Sequence, residues 1–270
     1  MTVTGALRER VAILQRLVEM GIRPGSALVY PLLRRLPPRR NRVVLQGGEV
    51  LCSPADEQLV PLVEEIWVRQ RYLPVDWRSA PGAVVVDIGA NVGVFSVWAA
   101  HRLSAGRIVA VEPAAEAARF LLANLERNRV SGVSVLQAAV GGRSGDATLH
   151  RRGAGALTTL FERDFYGSRF HPAGTVRVVT LDDLFALFGV DRCDLLKIDA
   201  EGAEYDILLA ARPETLAKVR HIAIEYHVGL NEHRPEELES SLEQHGFAVM
   251  RFPPLDIEGG HLHASRRDQR

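Results

Sequence analysis

The chain has 270 residues, 47% of them hydrophobic, and its 33 basic and 33 acidic side chains leave a formal net charge of zero. That length and apolar content can bury a full core, most simply as one large domain with an appendage. Neutrality gives no bulk attraction to nucleic acid or to an anionic membrane, so neither is expected as a partner.

No apolar run reaches the roughly 18 residues of a membrane span. Met1 to Arg10 lacks the apolar core of a signal peptide. Cys52 and Cys193 sit in no metal-binding or disulfide spacing. A soluble, cytoplasmic protein is expected. Only Lys197 and Lys218 are lysines, which draws notice to a lysine inside a motif.

In chain order, residues 1–36 hold two helical patterns, before and after Pro24-Gly25, and Pro37 to Arg42 is a breaker. Val43 to Leu45 and Val50 to Cys52 flank Gly47-Gly48 as a small hairpin. Ser53 to Glu57 caps a helix expected to run to about Tyr72, with Trp67 and Tyr72 read as core residues. Residues 1–80 are expected to form an N-terminal cap over the main domain, 81–270, and pairing of two caps in a homodimer stays open.

Ala83 to Ile88 is a continuous apolar run with Asp87 near its end, followed by Gly89-Ala90-Asn91-Val92-Gly93 and an apolar helix from Val94. Strand, glycine turn and helix open a doubly wound α/β sheet. Further strands are expected at 107–111, 133–140, 194–199, 221–227 and 247–252, with helices at 115–129, 181–188, 205–211 and 236–245. Ala147 to His150 and Val176 to Thr180 break the alternation as extra strands. The expected fold is α/β, with a mainly parallel sheet and helices on both faces.

A dinucleotide turn asks for Gly-x-Gly-x-x-Gly, but Ala90 replaces the second glycine here. Asp87 at the strand end would repel a pyrophosphate and attract a cationic ligand. S-adenosylmethionine carries a sulfonium and an ammonium and no phosphate. Glu112, before Pro113 at the tip of the next strand, can accept both ribose hydroxyls.

These motifs resemble the FkbM-type methyltransferases. The residues concerned are Val86 to Gly93, Leu181-Asp182-Asp183-Leu184, Leu196-Lys197-Ile198-Asp199-Ala200-Glu201-Gly202-Ala203-Glu204, and Ile224-Glu225-Tyr226-His227. The resemblance implies a class I methyltransferase fold and O-methylation of hydroxyls on sugars or polyketide-like natural products. The expected cofactor contacts are Asp87, Gly89, Ala90, Asn91, Gly93, Ser96, Glu112, Pro113, Gln137, Ala138 and Asp199, with Ala138 beside the adenine by the resemblance.

Asp199, Glu225, His227 and Lys197 are the catalytic candidates, since a hydroxyl nucleophile needs a base. Alternatively Asp199, Glu201 and Glu225 could hold Mg²⁺ or Mn²⁺, which would acidify the hydroxyl. Glu204 reads as a solvated helix residue and Asp182-Asp183 as a helix cap. His261-x-His263 reads as a surface strand with no third ligand spaced for it. A sugar, glycan or glycosylated natural product is the expected small-molecule or oligosaccharide acceptor. A polyketide or macrolide O-methyltransferase and a catalytically silent cofactor-binding protein are the alternatives.

Overall fold

The computed structural model describes residues 41–54, 57–78, 81–151, 158–162, 169–252 and 259–267. The helical patterns expected within residues 1–36 lie outside the described residues. Strands β1 (Asn41–Val44) and β2 (Val50–Ser53) form the expected antiparallel hairpin. Helix α1 (Leu59–Val63) passes directly into a π-helical turn, Glu64–Val68. The helix expected to reach Tyr72 is therefore shorter, and Gln70 leaves it with φ of 50°.

Next come β3 (Ala83–Ile88), α2 (Val94–Arg102), β4 (Ala105–Val111), α3 (Ala115–Arg127) and β5 (Val133–Leu136). The short β6 (Ala139–Val140) leads to β7 (Gly145–Arg151), β8 (Thr158–Thr159) and β9 (His171–Val179). The chain continues through α4 (Leu181–Leu187), β10 (Cys193–Ile198), α5 (Glu204–Leu209), α6 (Pro213–Leu216) and β11 (Val219–His227). It closes with α7 (Pro235–Gln244), β12 (Phe247–Arg251) and β13 (Gly259–Arg266).

Among the described residues the main sheet has seven strands in the order β12-β13-β11-β10-β3-β4-β5. The pairs β11/β10, β10/β3, β3/β4 and β4/β5 are parallel, and β13 is antiparallel to both its neighbours. The chain steps outward from β3 to β5 and later returns to β10 on the other side of β3. That reversal leaves a crevice beyond the carboxyl ends of β3 and β10, where ligands bind in open α/β sheets.

The single strand expected over 133–140 divides in two. β5 stays in the main sheet, while β6 joins a second, four-stranded sheet of order β6-β9-β7-β8. The sequence does not betray this, because both halves are extended and mostly apolar, with Gln137 and Ala138 between them. The break sets Ala138 in the wall of the crevice.

The N-terminal segment from Val43 onward shares one core with the main domain. Leu51, Leu59, Val63 and Tyr72 pack in a cluster with Phe95, Trp98 and Leu121, all buried. Two α3 amides fasten the hairpin. Asn124 accepts from the Cys52 N–H at 2.9 Å and donates to the Cys52 carbonyl at 2.7 Å. Asn128 does the same at Val50, at 2.7 and 2.8 Å. Each amide mimics a neighbouring strand and so satisfies an edge that burial would otherwise leave unpaired. No helix of the described residues is long and apolar enough to cross a membrane.

Candidate active site

The tips of β3 and β10 approach so closely that only glycine fits at position 89. Its φ is 73°, and a Cβ there would lie 1.7 Å from the Asp199 carbonyl oxygen. Gly93 also has positive φ, 85°, but a Cβ there would meet Leu121. Its requirement is thus helix packing, and it does not line the crevice.

The crevice is a cleft that opens to solvent. Gly89, Asn91, Glu112, Pro113, Ala138 and Asp199 line it, as expected of cofactor contacts. Asp87, Ala90, Gly93 and Ser96 lie behind the wall, and Gln137 is exposed outside it. Glu57, Leu62 and Glu65 from the N-terminal segment complete the lining.

Glu112 is held by two backbone donors. Asn91 N–H gives to Oε2 at 2.8 Å and Ala114 N–H to Oε1 at 2.8 Å. Each oxygen keeps a further lone pair for a ligand hydroxyl. Burial pushes its pKa up to about 7, against the lowering effect of those two hydrogen bonds.

Asp87 is completely buried and does not face the cleft. Its Oδ2 accepts from Ser96 Oγ at 2.6 Å, and its Oδ1 lies 3.2 Å from Lys197 Nζ. The expected direct contact of Asp87 and Ser96 with a cofactor therefore becomes support for Lys197. That lysine donates to the Gly89 carbonyl at 2.6 Å and lies 3.6 Å from Asp199 Oδ2. Burial alone would lower its pKa, but Asp87 and Asp199 outweigh burial and hold it above the ordinary value. Lys197 is a charged brace between two strand tips, with no free pair to act as a base.

Tyr72 was expected in the core, and its ring is buried there. Its hydroxyl, however, donates to Glu225 Oε2 at 2.6 Å and reaches Asp199 Oδ2 at 3.2 Å. Burial, and then the charges of Asp199 and Glu225, keep Tyr72 protonated well above the usual phenol range. Asp199 is itself raised by burial, with Lys197 opposing and Glu225 reinforcing the shift.

Glu204, expected on a solvated surface, has no exposed area. Its Oε1 accepts from the Ala200 and Gly202 N–H groups at 2.9 and 3.1 Å and lies 2.9 Å from His227 Nδ1. The other ring nitrogen, Nε2, lies 3.6 Å from Glu201 Oε2. Burial disfavours charge on His227, yet Glu204 and Glu201 overcome it and hold the pKa well above the ordinary value. The two carboxylates thus favour the charged form of His227, which stands between Glu204 and Glu201.

Glu201 lines the cleft from a backbone with φ of 48°. Thr159 Oγ1 donates to its carbonyl at 2.7 Å, and Asn231 donates to the Gly202 carbonyl at 2.8 Å. Burial pushes the Glu201 pKa up to about 7, against the attraction of His227. A fixed carboxylate poised near neutrality suits general-base work.

Asp199, Glu201 and Glu225 do not converge as the single ion site expected from sequence. Among the described residues, Asp199 and Glu201 come within common ligand reach of His227, whereas Glu225 groups with Glu65 and His261. The Tyr72 hydroxyl, bonded to both Asp199 and Glu225, separates the two groups. The His261-x-His263 pair is not a surface feature either, for His261 is 3% and His263 6% exposed.

A doubly wound sheet with a glycine turn and carboxylates at the tips of β4, β10 and β11 defines a class I, Rossmann-like methyltransferase architecture. Residues 87–249 match the model of the methyltransferase FkbM domain, and the chain belongs to that family. It is 33% identical over 231 residues to the AMB antimetabolite synthetase AmbE of Pseudomonas aeruginosa, covering 73% of this chain and 11% of that protein. The chain thus spans only a small part of that synthetase's length.

It is 29% identical over 239 residues to the 31-O-demethyl-FK506 methyltransferase FkbM of Streptomyces tacrolimicus, covering 76% of this chain and 89% of that one. A crystal structure of methyltransferase FkbM from Methylobacillus flagellatus KT is similar at 17% identity and a TM-score of 0.48. That match covers 72% of this chain and 47% of the other.

Proposed function

We propose that the protein is an S-adenosylmethionine-dependent O-methyltransferase acting on a hydroxyl of a natural product, sugar-bearing or polyketide-like. The observation that carries this reading is Glu112, pinned by two backbone donors in the wall of the same cleft that holds Glu201. The residues present fit the cofactor. Glu112 would take the ribose hydroxyls, the glycine at 89 leaves the backbone open to close approach, and Ala138 offers an apolar wall beside an adenine. Asp199 is the nearby carboxylate for an ammonium.

S-adenosylmethionine would supply an electrophilic methyl that leaves its sulfur as a neutral thioether when an acceptor oxygen attacks. Glu201 then removes the acceptor's hydroxyl proton as the new oxygen–carbon bond forms. His227, itself held by Glu204, steadies that carboxylate and offsets its charge. The stretch from Glu57 to Glu65 acts as the cover, since Glu57, Leu62 and Glu65 wall the cleft from that side. Such a cover excludes water from the reacting groups.

The relative named for 31-O-demethyl-FK506 supports an oxygen acceptor on a natural product. The many carboxylates of the lining support a polar, sugar-like acceptor. The test is incubation with isotope-labelled methyl donor and a panel of glycosides, polyketides and their amine and thiol analogues, read by mass. Label on a hydroxyl oxygen is the expected result. Label only on nitrogen, sulfur or carbon overturns the reading.

A further inference from the structure

We infer that Glu65, Glu225 and His261 form a site for one divalent transition-metal cation at the edge of the cleft. The three residues come from different parts of the chain. Glu65 lies in the π-helical turn, while Glu225 and His261 face each other directly across the β11/β13 pair. Their ligand atoms lie within 4.8 Å of one another. π-Helical turns recur at functional sites, and this one carries the carboxylate that completes the group.

His261 supplies the second, independent sign. It is 97% buried, and neither ring nitrogen makes a hydrogen bond. Nε2 lies 3.1 Å from Glu65 Oε1 without the direction a hydrogen bond needs. Two donors each roughly 2.1 Å from a shared ion stand roughly 3 to 3.4 Å apart and point at the ion, not at each other. A buried imidazole without a partner is otherwise costly. The neighbouring histidines contrast with it: His227 is engaged by Glu204, and His263 by the Arg71 carbonyl at 2.6 Å.

The surroundings favour a cation too. Glu57, Glu65, Glu112, Asp199, Glu201 and Glu225 line the cleft, and the basic groups near them stand behind its wall, Arg71 Nε at 3.9 Å from Glu65 Oε1 and Lys197 Nζ at 3.6 Å from Asp199 Oδ2. The Tyr72 hydroxyl on Glu225 orients that carboxylate, as outer partners of metal ligands do. One imidazole with two carboxylates suits Mn²⁺ better than the all-oxygen preference of Mg²⁺ or Ca²⁺. Glu65 and Glu225 both line the cleft, so an ion held between them would lie at its wall.

The experiment titrates the chelator-treated full chain with Mn²⁺ alone and follows free Mn²⁺ by electron paramagnetic resonance. Neither methyl donor nor acceptor is present, so the outcome is independent of the function proposed above. The expected result is one bound Mn²⁺ per chain. His261→Ala and Glu65→Gln each weaken it at least about 10-fold, and Glu201→Gln leaves it intact. Should His261→Ala fail to fold, the part-exposed Glu65→Gln decides. No saturable binding overturns the inference, as does binding that survives Glu65→Gln. Loss of the ion in Glu201→Gln alone would move it to the Asp199, Glu201 and His227 group, which equally overturns it.

Discussion

The Tyr72 hydroxyl lies 2.6 Å from Glu225 Oε2, joining the N-terminal segment to the carboxyl end of β11 across 153 positions of sequence. The same hydroxyl also reaches Asp199 at 3.2 Å, so one donor sits between two acids. Tyr72→Phe keeps the ring's packing and removes only that donor. A hydrogen bond to a charged group contributes about 1.5–3 kcal/mol, and the variant should lose stability in that range. Urea unfolding measures it. An unchanged midpoint would show that the two acids are satisfied without Tyr72.

Lys197→Met should be more damaging. It leaves Asp87, which has no exposed area, without its counter-charge. Removing one partner of a buried ion pair costs about 3–5 kcal/mol. The expectation is a large loss of denaturant stability, with Lys197→Arg giving only partial recovery because the longer fork does not fit between the two strand tips. Near-native stability of the methionine variant would contradict the dependence of this buried region on the Lys197–Asp87 ion pair.

Gly89→Ala tests the closeness of the β3 and β10 tips. The new methyl would lie 1.7 Å from the Asp199 carbonyl oxygen, so one tip must move. Backbone atoms cannot swing aside as a side chain can, and cofactor affinity should fall along with stability. A crystal structure of the variant with both tips in their original places would contradict this.

Much of this site was legible in the sequence, and the reasons are local. The β3 run, the glycine turn and the acids after β10 and β11 are contiguous motifs. Their crevice follows from strand order, and Glu112, Asn91, Ala138 and Asp199 do line it. What could not be read depends on contacts between distant segments. Glu204 looks like any acid in a helix's first turn until His227 is placed 2.9 Å away. His261 lacks a ligand nearby in sequence because its companions are Glu65 and Glu225. Asp87 has the right position for a ligand contact, but Lys197 and Ser96 occupy it from behind.

The pH dependence of turnover should follow Glu201. Burial raises its pKa to about 7, and the charged groups facing it are His227, Asp199, Glu204 and Glu225. A base must be ionised, so turnover should rise as pH increases through about 7. Glu201→Gln should remove that rising limb along with most activity, a loss of roughly 10²–10⁴-fold. The sign for stability is opposite. With a folded pKa above the ordinary value of 4.5, ionising Glu201 opposes folding, so its contribution falls as pH rises from 4.5 to about 7. A pH–rate profile that is flat across neutrality would remove Glu201 as the base.

The central claim is that the cleft holds S-adenosylmethionine through Glu112, and calorimetric titration of the purified chain with that cofactor tests it most directly. Glu112→Gln turns one acceptor oxygen into a donor facing the Asn91 or Ala114 N–H, spoiling the pinned geometry. Saturable binding to the native chain at one site is predicted, weakened roughly 10- to 100-fold in the variant, matching a charged hydrogen bond's 1.5–3 kcal/mol. No binding by the native chain, or equal binding by both, would contradict the account.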